Sequence, residues 1–396
     1  MFVTELRLTD FRNYAEARVP LGPGVTVFVG PNGQGKTNLV EAVEYLSTMS
    51  SHRVSGTVPL VRAGADSAIV GATVQAAPDD DRRLSLELEL TPGRAGQARM
   101  NRAPVPRPRE IIGALRTVVF SPVDLAIVRE EPSDRRAWLD SLVVTRWPRM
   151  AGVRQDLDKV LKQRNALLKG MAGRSFVPTG GDEDNTLAVW NERFAAIGAE
   201  LLHARLDTLA DVVPHAQRAY ATIAPVNNEV RASYKATIDL DGVASATDVR
   251  GELERRLLAA MAAARPDEVR RGVTLVGPQR DDVELFIGAL PAKGYASHGE
   301  SWSLALALRL GGFALVCAEG TEPVLVLDDV FAELDATRRD RLAGLVADAE
   351  QVLITAAVGA DVPEFPAERR FRVQAGTVAP LDALSDVRRA GREEGR

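Results

Sequence analysis

A single cysteine, Cys317, occurs in the chain, and that excludes a disulfide framework. It falls in an apolar helical run, so it reads as a small buried hydrophobe in a protein suited to a reducing compartment. No run of about 18 apolar residues exists, so no membrane span is expected. Met1–Val19 mixes Glu5, Arg7, Asp10 and Arg12 with apolar positions and lacks a signal-peptide core. These absences predict a cytoplasmic protein. The net charge is −5, so the molecule is no polycation, and any nucleic-acid site must be a local patch. Internal repeats are missing, and heptads never persist long enough for a coiled coil. What is present is a chain of 396 residues, 45% hydrophobic. That bounds the answer to two globular domains or one elaborated one, with a sizeable core.

The most informative stretch is Gly30–Thr37, GPNGQGKT. It follows the apolar strand-type run Val25–Gly30 and leads into Asn38–Ser47, where Leu39, Val43 and Leu46 keep helical spacing. Strand, glycine-rich loop and helix are the context of a nucleotide P-loop. Glycines let successive backbone N–H groups converge on phosphate oxygens, and the helix start adds partial positive charge. The loop residues Gly30, Pro31, Asn32, Gly33, Gln34 and Gly35 would cradle the phosphates of ATP. Lys36 would reach the β- and γ-phosphates, and the Thr37 hydroxyl would ligate Mg²⁺.

Around this loop the pattern predicts an α/β fold. Val3–Leu8 alternates as a half-buried strand. Arg12 and Asn13 follow and read equally well as turn residues. Met49–Gly56 is a polar loop holding His52 and Arg53, and a histidine in such a loop is ordinarily just solvated. Ser67–Val74, Arg83–Thr91 and Gln97–Arg102 predict an antiparallel β region, with Thr117–Phe120 a further strand. From Val123 helical periodicity dominates, over Asp134–Val144, Val153–Leu168, Leu187–Ala210 and Ala246–Ala264, interrupted by a loop at Gly170–Gly181 that is expected to be mobile. Strand-like Val273–Val276 and Val283–Phe286, the helix Ser301–Ala318, the strand Val324–Leu327, the helix Thr337–Ala349 and the strands Val352–Thr355 and Phe371–Val373 restore the α/β character. The expected division is residues 1–122, an inserted helical lobe over 123–271, a return to the first lobe over 272–380, and a charged, frayed tail over 381–396.

A second constellation is PVLVLDDVFAELD, Pro323–Asp335. Four apolar β-formers run into Asp328, the Walker B position, where a carboxylate at a strand end holds Mg²⁺ beside the P-loop. Asp329 is placed to orient the attacking water. ASHGES, Ala296–Ser301, precedes an apolar helix and by itself could be no more than a helix cap. With AELD, Ala332–Asp335, it resembles the signature and D-loop of ABC-type ATPases. In that class the signature of one subunit caps the ATP held by its partner. The resemblance therefore implies an ATP-dependent homodimer in which Ser297 and Gly299 act in trans.

Residues 94–149 carry 11 arginines against six acids, an excess of five positive charges. Arg102 and Arg107, in the proline-interleaved NRAPVPRPRE, are candidate contacts to DNA phosphates, although the same residues would suit a solvated loop. No aromatic platform accompanies them, which favours double-stranded or gapped DNA over bare single strands.

The set of motifs, LRLTDFRNY, GPNGQGKTN, FSPVDL, Glu131–Arg136, Gly277–Asp282, SHGES and LDDVFAELD, runs from Leu6 to Asp335 and resembles the RecF family of DNA recombination and repair ATPases. That resemblance implies an ABC-type, SMC-like head with a mixed sheet, an antiparallel β region and an inserted helical lobe. It also implies ATP-dependent DNA binding in replication, gap repair and the SOS response, nucleoid association, and work with RecR and RecO in loading RecA. Arg12 and Asn13 would line the nucleotide pocket. Three departures stand out: Glu300 where related signatures often carry glutamine, no Q-loop glutamine between Arg116 and Glu130 (Asp124 is a poor substitute), and no switch histidine after Thr355. With Asp329 shorter than the usual glutamate, they predict a weak, DNA-dependent ATPase that resets a clamp slowly. A nucleotide-gated scaffold with incidental hydrolysis is the alternative. An ATPase subunit of a transporter fits less well, because the insertion is long and no span is expected.

Overall fold

The computed structural model describes residues 1–54, 56–172, 182–224, 229–366 and 368–381. Most of the expected loop at Gly170–Gly181 and nearly all of the charged tail lie outside the described residues. The chain forms two compact units. Unit 1 contains residues 1–125, 215–228 and 298–396; unit 2 contains 126–214 and 229–297. The division falls close to the expected 122/123, but unit 2 continues past the expected 271/272 to Ser297.

Unit 1 opens with β1 (Phe2–Phe11), β2 (Tyr14–Pro20) and β3 (Gly24–Val29), followed by α1 (Lys36–Thr48). Then come β4 (Ala68–Gln75), β5 (Arg83–Leu90), β6 (Gln97–Met100), β7 (Ala103–Pro104) and β8 (Thr117–Phe120). The alternation read in β1 is the alternation seen: Leu6, Leu8 and Phe11 point to the core while Thr9 faces solvent. A two-residue turn joins β1 to β2, with Phe11 paired to Tyr14.

Unit 2 contains α2 (Leu125–Arg129, its first residue belonging to unit 1), α3 (Pro132–Arg146), α4 (Met150–Met171) and the long α5 (Asp182–Ile223), whose residues from His215 belong to unit 1. It continues with β9 (Val230–Lys235), α6 (Val249–Arg271), β10 (Asp282–Ile287), β11 (Leu290–Pro291) and the helical turn α7 (Ala292–Tyr295). The chain returns to unit 1 with α8 (His298–Ala318), β12 (Val324–Asp328), α9 (Ala336–Val346), β13 (Gln351–Ala356), β14 (Arg369–Gln374) and β15 (Thr377–Pro380).

Two six-stranded sheets frame unit 1. One is antiparallel, in the order β2-β1-β4-β5-β6-β7. The other, β15-β14-β3-β13-β12-β8, is parallel except for β15. Every residue of β12 and β13 is buried, as parallel strands covered on both faces require. One hydrophobic cluster joins Leu6, Leu8 and Phe11 of β1, Leu39, Val43 and Leu46 of α1, and Val326 and Leu353 of the parallel sheet. The P-loop helix is thereby fixed between the two sheets. The helix α8 is long and apolar enough by composition to cross a bilayer, but most of it is buried, as a core helix of a packed unit would be.

Unit 2 is not purely helical, because β9, β10 and β11 form a three-stranded antiparallel sheet. The expected strand Val273–Val276 does not form. Its backbone donors are taken by side chains instead: Asn165 Oδ1 accepts from the Thr274 N–H at 2.8 Å, and Glu268 Oε1 from the Leu275 N–H at 2.8 Å. Two of the motifs outside the nucleotide loop meet here. Arg135 donates to both carboxylate oxygens of Asp282, at 2.7 and 3.0 Å, and Arg136 to the Asp281 carbonyl at 2.7 Å. These residues are framework for unit 2, since Arg135 is buried and its charge is paired.

Candidate nucleotide site

The site is built where β3, β12 and β13 end. β13 lies between the other two, so that Asp328, Thr355 and Phe28 stand in register across the sheet. The P-loop leaves β3 and turns into α1, with Gly35 at the helix cap in a left-handed conformation, φ 112°. Only glycine fits there. A Cβ at Gly35 would lie 2.6 Å from Asn13 Nδ2 and 2.8 Å from the Tyr14 hydroxyl. At Gly30 a Cβ would collide with the Val373 carbonyl oxygen.

Two turns brace the loop. From the β1–β2 turn, Asn13 Nδ2 donates to the Gln34 carbonyl at 2.9 Å, and the Tyr14 hydroxyl donates to the Gly35 carbonyl at 3.0 Å. Asn38 Nδ2 in turn donates to Asn13 Oδ1 at 2.8 Å. From the β14–β15 turn, the Ala375 N–H donates to Gln34 Oε1 at 2.7 Å.

Lys36 reaches back over the loop, donating to the Pro31 carbonyl at 3.1 Å and to Asn32 Oδ1 at 3.4 Å. Burial lowers its pKa, while the charges of Asp329 and Asp328 pull it back up. Asp328 Oδ1 accepts from the Thr37 hydroxyl at 2.9 Å and from the Thr355 hydroxyl at 2.6 Å. The Asp329 N–H donates to Thr355 Oγ1 at 2.9 Å. Thr355 therefore holds both acids, a role that its place on β13 gives and its sequence does not signal.

Asp329 has φ 55° and one buried carboxylate oxygen, Oδ1, that finds no hydrogen-bond partner among the described residues. Burial raises its pKa; the Lys36 charge opposes the rise, and Asp328 and Glu333 add to it. A buried carboxylate left with an open acceptor is poised for a ligand or a water. In front of these groups lies a cavity of about 310 Å³ lined by Asn32, Gly33, Gly35, Lys36, Thr37, Asn38, Arg53 and Asp329. The paired donors Lys36 and Arg53, the open loop and the Thr37–Asp328 pair fit a magnesium triphosphate. Two oxygen ligands plus phosphate and water are the set Mg²⁺ ordinarily takes.

The remaining expected residues are distributed as follows. Arg12 does not line this cavity. Its guanidinium grips the buried carboxylate of Glu41 on α1, at 2.8 and 2.5 Å, and the Pro59 carbonyl at 2.9 Å. Burial works to raise the Glu41 pKa, but hydrogen bonds from Arg12 and Ser51 bring it below its ordinary value. Arg53, in the loop that was read only as polar, is the arginine at the cavity, held by Asn38 Oδ1 at 2.7 Å. Beside it His52 Nδ1 meets Glu44 Oε2 at 2.6 Å. Burial alone would lower the histidine's pKa, yet the Glu44 bond and charge, with Asp328 and Asp124, raise it. Asp124 is occupied elsewhere, capping Ser121 and accepting from Arg309 at 2.6 Å.

Ser297 is exposed just before α8, and Gly299 lies in its first turn. The arginine-rich stretch is not one patch. It crosses the division between the units, Arg99 is paired with Glu87 at 2.7 Å, and Arg135 and Arg146 are buried in ion pairs. Arg102 (φ 68°) and Arg107 are exposed.

Comparison with known proteins agrees with this geometry. The domain family described as RecF/RecN/SMC N terminal domain matches residues 2–369. The DNA replication and repair protein RecF of Cutibacterium acnes is 61% identical over 394 residues, covering 98% of this chain and 100% of that protein. The protein of the same name from Streptomyces avermitilis is 55% identical, covering 96% and 99%. Among solved structures, the recombination mediator protein RecF with ATP, from the RecFOR pathway, superposes with a TM-score of 0.84 at 26% identity, covering 96% of this chain and 98% of that one. An Smc head domain from Pyrococcus furiosus shares the fold, with a TM-score of 0.53 at 16% identity and full coverage of both chains. With its P-loop, paired strand-end acids and full-length similarity, the chain belongs to the RecF family.

Proposed function

We propose that this protein is an ATP-gated DNA clamp of recombinational and replication-gap repair. The observation that carries the reading is the assembly of Lys36, Thr37 and Asp329 around one cavity, with Asp328 bonded to Thr37 and Thr355 tying the two acids together. Lys36 and Arg53 neutralise the β- and γ-phosphates of ATP, and the loop N–H groups take their oxygens. A bound Mg²⁺, held by Thr37 and Asp328, would supply charge neutralisation at the phosphates. Asp329 orients the attacking water and accepts its proton as the oxygen bonds to the γ-phosphorus and the bond to the ADP oxygen breaks.

ATP joins two copies head to tail, with Ser297 and Gly299 of each capping the nucleotide of the other. The pair closes on double-stranded or gapped DNA through exposed arginines, Arg102 and Arg107 among them. RecR and RecO are its partners, in keeping with the RecFOR pathway of the solved relatives; RecA is the protein it helps to load, and the nucleoid is its place of action. Hydrolysis is slow and resets the clamp, because Asp329 is short and Ala356-Ala357 stand where a switch histidine would. DNA stimulates that weak hydrolysis by favouring the closed pair.

The test separates binding from hydrolysis. Lys36→Met is expected to lose ATP binding, and Asp329→Asn to bind ATP normally while hydrolysis falls at least about 100-fold. Equal hydrolysis by Asp329→Asn and the wild type would remove Asp329 from the mechanism.

A further inference from the structure

The first turn of α8 carries a carboxylate, Glu300, in the segment that the head-to-tail reading places over a triphosphate. Two like charges brought that close repel, and a cation beside the segment would ease its approach to ATP. The structure supplies one from a neighbouring element of the same unit. Arg338, in the first turn of α9, packs on the signature glycine, so that a Cβ at Gly299 would lie 2.9 Å from its Nη1.

Arg338 is loosely held. Its backbone N–H donates to Asp335 Oδ1 at 3.0 Å, but its guanidinium meets the same carboxylate only at 3.6 Å, and that aspartate is 60% exposed. Arg339 next to it is committed, donating to the Phe331 carbonyl at 2.8 Å and pairing with Asp361 at 3.1 Å. A third group completes the cluster. Tyr220, fully buried, has a hydroxyl with no hydrogen-bond partner among the described residues. Burial pushes its pKa up to about 12; the Glu300 charge adds to the rise and the Arg338 charge opposes it, so both charges bear on this phenol. A buried hydroxyl with no hydrogen-bond partner among the described residues, on which both charges act, is open to a further partner.

We propose that Arg338 is the cation of the signature segment: it offsets Glu300 across Gly299 and, when ATP pairs two copies of this chain, donates to the terminal phosphate held by the P-loop of the second copy. This rests on the head-to-tail reading above. It gives the D-loop helix a direct hand in sensing the partner's nucleotide, because Asp335 caps the helix on which Arg338 rides. Hydrolysis in the partner removes the phosphate and returns Arg338 to Asp335.

The experiment uses full-length chains mixed in pairs, with sedimentation and ATP hydrolysis as readouts. In the first mixture one chain carries Lys36→Met and the other Arg338→Ala. One composite site then keeps both Lys36 and Arg338. In the second mixture a wild-type chain meets a chain carrying both substitutions, and every mixed pair lacks a complete site. With random pairing of equal amounts, half of the dimers in the first mixture are mixed and hold one complete site, whereas in the second only the wild-type pairs, a quarter of the dimers, are active. The proposal expects each mixture at about a quarter of the wild-type hydrolysis, the first although neither of its chains is active alone. A first mixture no more active than its separate chains would overturn the trans role of Arg338. Wild-type chains that stay monomeric in ATP would instead remove the head-to-tail reading and the proposal with it.

Two further variants separate a charge role from a local structural one. Glu300→Gln added to Arg338→Ala is expected to restore part of the ATP-dependent dimer, because the uncompensated carboxylate is gone, and Arg338→Lys is expected to keep most of it. No rescue by either, with a folded monomer and normal ATP binding, contradicts the charge argument.

Discussion

Asp329 stands next to Asp328 at φ 55°, with a buried carboxylate oxygen that finds no hydrogen-bond partner among the described residues. Its pKa is raised, so the fold disfavours its charged form. The sign follows directly. An acid whose folded pKa lies above its unfolded value costs nothing below the unfolded pKa, and its cost is fully present once pH exceeds the folded pKa. Asp329→Asn therefore stabilises the protein at neutral pH, and asparagine also tolerates the left-handed backbone. Thermal melts at pH 7 and pH 4 are expected to show a higher Tm for the variant at pH 7 and a shrinking difference at pH 4. Glycines make a second residue-level prediction. Gly33→Ala meets no atom within 4 Å and bears only its positive φ, a cost of about 1–2 kcal/mol. Gly35→Ala, at φ 112°, is strained as well and also collides with Asn13 and Tyr14, so its loss of ATP affinity in titration should be the larger of the two. The P-loop and the strand-end acids were legible because each is one contiguous segment with fixed spacing. Thr355, Tyr14 and Arg53 were not legible as site residues, because they reach the site from other elements and nothing local marks them.

At the level of elements, the nucleotide loop is held by turns far away in the chain. Asn13, in the β1–β2 turn, and Ala375, in the β14–β15 turn, both bond to Gln34. β13 lies between the P-loop strand and the Walker B strand and presents Thr355 to both acids. Thr355→Val keeps the shape of that side chain but leaves Asp328 with one hydroxyl fewer and the Asp329 N–H with a poorer partner. The expected loss is about 1–3 kcal/mol of stability or of magnesium-dependent ATP affinity, read by calorimetry with and without Mg²⁺. Unchanged values would mean that the acids are positioned by β12 alone. Strands and helices with strong periodicity were legible, such as β1, α1, α8 and β12. Val273–Val276 was misread because an apolar run says nothing of the Asn165 and Glu268 side chains that take its backbone donors. The strand β9 lay hidden in a stretch dominated by helices, since its partner β10 comes about 50 residues later.

For the whole molecule the question is where an acidic protein meets a polyanion. The excess of arginine over residues 94–149 was legible, but much of it is taken up by buried or paired guanidiniums: Arg99 on Glu87, Arg135 on Asp282, Arg146 on Asp211. Arg102 and Arg107 remain exposed. Replacing both with alanine is expected to weaken DNA binding and to reduce the slope of log affinity against log salt by about 1–2, as the loss of one or two phosphate contacts predicts. Unchanged slopes would move the DNA path elsewhere. The central claim is that nucleotide in the P-loop gates DNA. Its most direct test is the fluorescence anisotropy of a labelled gapped duplex, measured without nucleotide, with ADP and with ATP, with sedimentation of the same samples. The account predicts that ATP alone raises both DNA affinity and the dimer fraction, and that Lys36→Met abolishes both rises. Identical DNA binding in all three nucleotide states would contradict it.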